Sequence, residues 1–196
     1  MPVRRHRDPI VWTNAAYAFA AVPYLAGSYL SGPEAILALL VALSLMMLTV
    51  GSWVFHVRST PGHNHRAGHV LDHIGMHASF VSLAAYTCTS AYDLGNHGLV
   101  LFGVLAFVSM ETLHDPDSGD KVTLRHSYPA VGFFGAVALV GLLKLDPVLA
   151  LRVACLFAAS FLFRHRDPAK ASGFGWRHAI WHVVTAWAFA RASGVS

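Results

Sequence analysis

The chain has 196 residues, of which 55% are hydrophobic and only 12% are charged, and its mean hydropathy is +0.50. Soluble domains carry about 25% charged residues, so this composition excludes an ordinary soluble domain. The net charge is +4, but no basic patch is interleaved with aromatic residues, which excludes nucleic acid as a partner.

Long uncharged runs separated by short polar connections predict one all-α domain over residues 1–196, an integral membrane bundle of seven transmembrane helices. The first three runs have 20 or more residues and can span ~30 Å of hydrocarbon. The last four are shorter and need flanking residues or a thin bilayer to complete the span. The seven runs cover residues 10–29, 35–57, 70–91, 98–113, 128–143, 147–163 and 174–190.

The positions of the basic residues predict the orientation of this bundle. With seven spans and the N-terminus inside, eleven of the fourteen Lys and Arg residues fall in the N-terminal segment and the connections 58–69, 111–127 and 164–175, or directly beside them. Positive charge favours the cytoplasmic side of a membrane. We therefore expect a cytoplasmic N-terminus and a C-terminus on the outside.

Polar residues interrupt three of the apolar runs near the predicted cytoplasmic side. Ser52 and His56 lie four residues apart in SWVFH, at the end of the second run, and Asp72 lies at the start of the third. His178 and His182, again four residues apart, lie in HAIWH at the start of the last run. All five side chains are therefore expected at one depth, where buried polar groups usually have a function.

This set of side chains predicts a zinc site. Two side chains four residues apart lie on the same face of a helix and can bind one metal ion. Three imidazoles and one water make the open tetrahedral site of a catalytic zinc ion, so we expect His56, His178 and His182 to be the ligands. Asp72 has the chemistry to transfer protons at such a site, and Ser52 can hydrogen-bond a water, a ligand or a developing oxyanion.

Each of these residues also has an ordinary explanation. The histidines can be interfacial residues at helix ends. Ser52 can bond backward to its own helix, and Asp72 can cap the third predicted helix.

Other histidines offer rival ligands. His69, His73 and His77 repeat every four residues and can supply a ligand, a proton path or a substrate-polarising group. Glu111 and His114 lie at the inner end of the fourth run and can approach the site. The remaining histidines, such as His63, His65 and His165, are expected to be solvated loop residues.

The order S-x-x-x-H, then D, then H-x-x-x-H on the last helix resembles the CREST superfamily of membrane hydrolases. This superfamily includes alkaline ceramidases, adiponectin-receptor (PAQR) and haemolysin III proteins, Per1 lipid-remodelling proteins and myomaker-like proteins. The matching segments are GSWVFH, VLDHIG and RHAIWHVV. The resemblance implies that the three histidines bind zinc and that Asp72 and Ser52 complete a site that hydrolyses an amide bond of a ceramide-like lipid.

Three functions are compatible with these features. The first is a zinc-dependent membrane hydrolase that cleaves an amide or ester bond of a membrane lipid, whose tail enters between helices. The second is a non-enzymatic, haemolysin III-like or receptor-like membrane protein with a structural zinc site. The third is a haem protein with axial histidine ligands from neighbouring helices.

Overall fold

The computed structural model describes residues 9–27, 31–59, 65–113, 127–163 and 176–194, and these contain no strand. The predicted all-α class is therefore confirmed. Residues 1–8 and most of the three connections assigned to the cytoplasm, including His63, His114 and His165, lie outside the described residues. The helices are α1 (Pro9–Thr13), α2 (Ala15–Gly27), α3 (Pro33–Arg58), α4 (Arg66–Tyr92), α5 (His97–Leu113), α6 (Ser127–Leu145), α7 (Pro147–Phe163) and α8 (Trp176–Ala192).

Helix α4 begins four residues earlier than predicted. Its N-cap is His65, whose Nδ1 accepts a hydrogen bond of 3.1 Å from the Gly68 N–H. His65 therefore lies in the connection, partly exposed, and it also caps the helix, a role that its prediction as a solvated loop residue did not include. Asp72 lies inside the helix, so a capping role is excluded for it.

The run predicted as one helix over residues 10–29 is interrupted at Asn14. The Asn14 Nδ2 donates hydrogen bonds to the carbonyls of Ile10, at 3.0 Å, and of Val11, at 3.3 Å. A side-chain amide bonded in this way competes with backbone N–H groups for the same carbonyls. The single helix is therefore wrong, and the short α1 packs separately against α8 and α3.

Six helices pack in a ring in the order α2, α3, α4, α6, α7 and α8, and α8 closes the ring against α2. Helix α5 packs mainly on α4, outside the ring. The ring encloses one large apolar core that includes Tyr17, Leu45, Leu83, Phe134 and Phe189. The site residues therefore lie in helices that surround a common interior.

Two of the described helices, Pro33–Arg58 and Ser127–Leu145, are long and apolar enough to cross a membrane. His97–Leu113 and Pro147–Phe163 are apolar but shorter. Helices α4 and α8 carry histidines and hydroxyl side chains among their buried residues, which lowers their overall apolar character. The bundle of seven membrane spans stays a prediction.

Glycines bring α3 and α4 into backbone contact. A Cβ atom added to Gly75 would lie 2.6 Å from the Leu48 Cα, and one added to Gly51 would lie 2.7 Å from the Leu71 carbonyl carbon. Small residues allow two helices to approach this closely. A Cβ atom added to Gly51 would also lie 2.8 Å from the Asp72 backbone nitrogen. Ser52 and Asp72 therefore occupy facing positions of the two helices.

We predict that Gly75→Ala lowers the free energy of unfolding by about 1–3 kcal/mol, because the added methyl group has to push the α3 backbone away. Gly103→Ala is the matched control, since a Cβ at Gly103 meets nothing within 4 Å and alanine favours a helix by up to about 1 kcal/mol. Denaturant unfolding in detergent micelles, followed by circular dichroism, measures both. Equal stability of the two variants would contradict the close contact.

Candidate metal centre

Three buried imidazoles from two helices meet inside the ring. His56 lies near the end of α3, and His178 and His182 lie in the first turns of α8. They are 0%, 8% and 1% exposed. One ring nitrogen of each lies within 4.8 Å of the others. Helices α3 and α8 are not neighbours in the ring, since α2 packs against both, so these side chains connect two separated helices.

This arrangement fits a metal ion. The nitrogen ligands of one tetrahedral zinc ion lie about 3.3 Å apart, because each Zn–N bond is ~2.0–2.1 Å long. Small rotations of the rings bring nitrogens that are at most 4.8 Å apart to that spacing. Imidazole suits zinc, copper, iron and nickel, so the donor set indicates a transition metal without selecting one.

Thr13 holds one of the three rings in place from α1. Its hydroxyl donates to the Ile10 carbonyl at 3.2 Å, and its oxygen lies 3.3 Å from the His182 Nδ1. When the hydroxyl donates to the Ile10 carbonyl, its oxygen accepts from His182 Nδ1–H. That arrangement gives the tautomer that leaves Nε2 free to bind metal, as groups behind metal ligands commonly do. The polar pair Thr13–Asn14 in an apolar run was the only sequence signal for this role.

The pair predicted to be catalytic lies at the contact between α3 and α4. Ser52 is 1% exposed, and Asp72 is half-buried. The Asp72 carboxyl interacts with the Ser52 hydroxyl, although no hydrogen bond of strict geometry forms at Ser52 Oγ among the described residues. Asp72 also interacts with Tyr17, whose ring centroid lies 5.7 Å from that of His182. Tyr17 therefore lies beside the histidine group and lines the same cavity as the carboxyl.

A narrow cavity of about 30 Å³ reaches Asp72. Tyr17 and Tyr128 also line it, and Phe80 and Phe157 form part of its apolar wall. The same two phenylalanines line a larger apolar cleft of about 220 Å³ between α6 and α7. The cavity and the cleft are therefore neighbours, and these apolar side chains lie between the cleft and the carboxyl.

The rival histidines of α4 lie apart from this centre. His73 Nδ1 and His77 Nε2 lie 2.7 Å and 2.8 Å from the same Ser127 oxygen. The His69 ring stacks on Phe55, with the centroids 4.6 Å apart. The three do not form a metal-binding group among the described residues.

The five residues predicted for the site lie where α3, α4 and α8 face the interior. Three form the histidine group, and Ser52 and Asp72 lie at the neighbouring helix contact. No family model, curated protein or solved structure matches this chain, so its function is inferred from these residues and their geometry.

We predict that His56→Ala, His178→Ala and His182→Ala each lose bound metal, because two imidazoles bind an ion much more weakly than three. Binding should also weaken at acidic pH, since a protonated imidazole cannot bind metal. Elemental analysis of the purified protein measures both effects, and the exposed His97→Ala is the control. Stoichiometric metal in the double variant of His178 and His182 would instead implicate the α4 histidines.

Thr13→Val should reduce metal affinity by about 10-fold to 100-fold, the usual effect of losing a hydrogen bond behind a ligand. The change conserves shape and removes only the hydroxyl that lies 3.3 Å from the His182 Nδ1. Thr49→Val is the control, because the Thr49 hydroxyl bonds only the Leu45 carbonyl of its own helix, at 2.9 Å. Competition with a chromophoric chelator gives both affinities, and equal values would remove Thr13 from the centre.

Proposed function

We propose that this protein is a membrane-embedded, zinc-dependent hydrolase that cleaves an amide or ester bond of a lipid. The observation that carries the proposal is the convergence of three buried imidazoles, with a carboxyl and a hydroxyl at facing positions of the α3–α4 contact. Three neutral nitrogen ligands leave a coordination position for water, which is the arrangement of catalytic zinc. The resemblance of the three motifs to the CREST superfamily agrees with this chemistry.

Membrane embedding is supported by where the apolar side chains lie. Large apolar residues are exposed on several helices, among them Phe19 at 76%, Phe107 at 64%, Leu162 at 67% and Trp187 at 58%. The buried residues, in contrast, include four histidines that are 4% exposed or less. Extended exposed apolar surface indicates contact with a membrane or a partner. In this proposal seven spans cross the bilayer, with the N-terminus in the cytoplasm and the C-terminus outside.

Asp72 and Ser52 have different roles in the proposed hydrolysis. Zinc bound in such a site supplies a water of lowered pKa and polarises a carbonyl. Asp72 accepts the proton of the attacking water and returns it to the departing nitrogen or oxygen. The buried Ser52 hydroxyl orients the carboxyl or hydrogen-bonds the charge that develops on the substrate oxygen.

The apolar cleft beside the Asp72 cavity supports a lipid as the substrate. The cleft between α6 and α7 is lined by Gly132, Gly135 and Ala158 together with aromatic rings. Small residues at this position leave room for a hydrocarbon chain, and in this proposal the polar end of the lipid enters the neighbouring cavity that Asp72 lines. A soluble polar substrate would make few favourable contacts with such an apolar lining.

We predict that Asp72→Asn keeps its zinc but loses turnover by at least about 100-fold, since an amide cannot transfer protons as a carboxylate does. Micelles containing fluorescent N-acyl and O-acyl lipids provide the assay. Asp93→Asn is the control, because Asp93 is exposed and its left-handed backbone, with φ of 50°, accepts asparagine.

Full activity in Asp72→Asn would remove the carboxyl from the mechanism. A wild-type protein that binds zinc but cleaves neither lipid class would favour the non-enzymatic alternative with structural zinc. A Soret band in the purified protein would favour the haem alternative.

A further inference from the structure

The structure contains a second buried polar group, on the side of α4 that faces α5 and α6. It consists of His73, His77, Ser109 and Ser127, all of which are 6% exposed or less. His77 bonds Ser109 Oγ through Nδ1 at 2.9 Å and Ser127 Oγ through Nε2 at 2.8 Å. Ser127 Oγ continues to His73 Nδ1 at 2.7 Å. Three short hydrogen bonds therefore join four side chains in one line.

One end of this line lies at a groove, and the other end lies behind a side chain in the wall of a cavity. Ser109 and His77 line a groove of about 610 Å³ beside α5, which the exposed Glu111 also lines. At the other end the His73 ring packs edge-on against Tyr128, with the centroids 5.7 Å apart. Tyr128 lines the cavity that contains Asp72. The line thus runs from the groove beside α5 to the wall of the proposed reaction cavity.

The hydrogen bonds of this line can point in either direction. In one direction His73 Nδ1–H donates to Ser127, Ser127 O–H donates to His77 Nε2, and His77 Nδ1–H donates to Ser109. In the other direction each donor becomes the acceptor, and both imidazoles carry the proton on Nε2. Both arrangements use neutral rings and the same number of bonds, since a hydroxyl donates once and accepts as well. A line with two equivalent polarities can transfer protons.

We propose that these four side chains form a proton relay between the Asp72 cavity and the groove beside α5. The relay rests on the proposed function, because ester hydrolysis yields an acid whose proton has to leave the half-buried Asp72. Tyr128, which lines the Asp72 cavity and contacts the His73 ring, accepts the proton from Asp72 and gives its own hydroxyl proton to His73 Nε2. That transfer displaces the Nδ1 proton of His73 to Ser127, and the original Ser127 proton passes to His77 Nε2. The His77 Nδ1 proton then passes to Ser109, whose own proton goes to water in the groove. One proton enters, one leaves, and the polarity of the line reverses.

The relay predicts a spectroscopic signature that needs no substrate. Nitrogen NMR of the zinc-loaded, histidine-labelled full chain should show both tautomers at His73 and at His77. The fraction of each tautomer should be the same at the two rings, because the line reverses as a unit. Ser127→Ala should make the tautomer fractions of His73 and His77 differ from each other. Ser127→Thr, which keeps the hydroxyl, should make them equal again. Ser79→Ala is the control, since the buried Ser79 hydroxyl bonds only the Gly75 carbonyl of its own helix, at 2.8 Å.

A single fixed tautomer at either ring of the unaltered protein would overturn the relay and leave a purely structural network. In the O-acyl lipid assay, Ser109→Ala and Ser127→Ala should turn over roughly tenfold more slowly at unchanged KM and zinc content, and added imidazole should restore the rate. If added imidazole does not restore the rate of these variants, the relay is also overturned. If the unaltered protein cleaves no lipid, the proposed hydrolase fails, and the tautomer fractions alone decide whether the relay exists.

Discussion

The backbone contact between α3 and α4 is the constraint on which the arrangement of this protein depends. Gly51 and Gly75 let the helices approach until no Cβ atom fits between them. Ser52 and Asp72 face each other because of that approach, and His56 follows one turn later on α3. A wider spacing would separate the carboxyl from the hydroxyl and move one of the three imidazoles away from α8. The same glycines therefore determine both the helix packing and the positions of the site residues.

Helix α4 connects two polar groups inside an otherwise apolar bundle. Asp72 faces the cavity near the histidine group, whereas His73 and His77 face α5 and α6. Buried polar side chains are costly unless they have partners. Serines satisfy His73 and His77, whereas the three-imidazole group has the donor atoms to hold a metal ion. This difference in partners separates a hydrogen-bonded network from a candidate metal centre.

Several features were predictable because they depend on local pattern. Apolar runs gave the helices to within a few residues, and the spacing of His178 and His182 placed both on one face. Other predictions were wrong because side-chain hydrogen bonds to the backbone changed the helix boundaries that the hydrophobic pattern predicts. Asn14 breaks the first helix by bonding carbonyls of the preceding turn. The capping bond of His65 begins α4 early and so removes the capping explanation for Asp72. The contribution of Thr13 depends on α1 packing against α8, which no spacing within the chain reveals.

The sequence by itself determined that the chain is helical and which helices carry His56, Asp72, His178 and His182. These properties follow from periodicity and composition, which act over a few turns. Only the tertiary structure decided that His56 joins the α8 pair and that His73 and His77 bond serines instead. A helix of this length presents polar groups on several faces, and its neighbours decide which of them meet. Those neighbours are set by long-range packing of small residues against backbone, which local sequence does not encode.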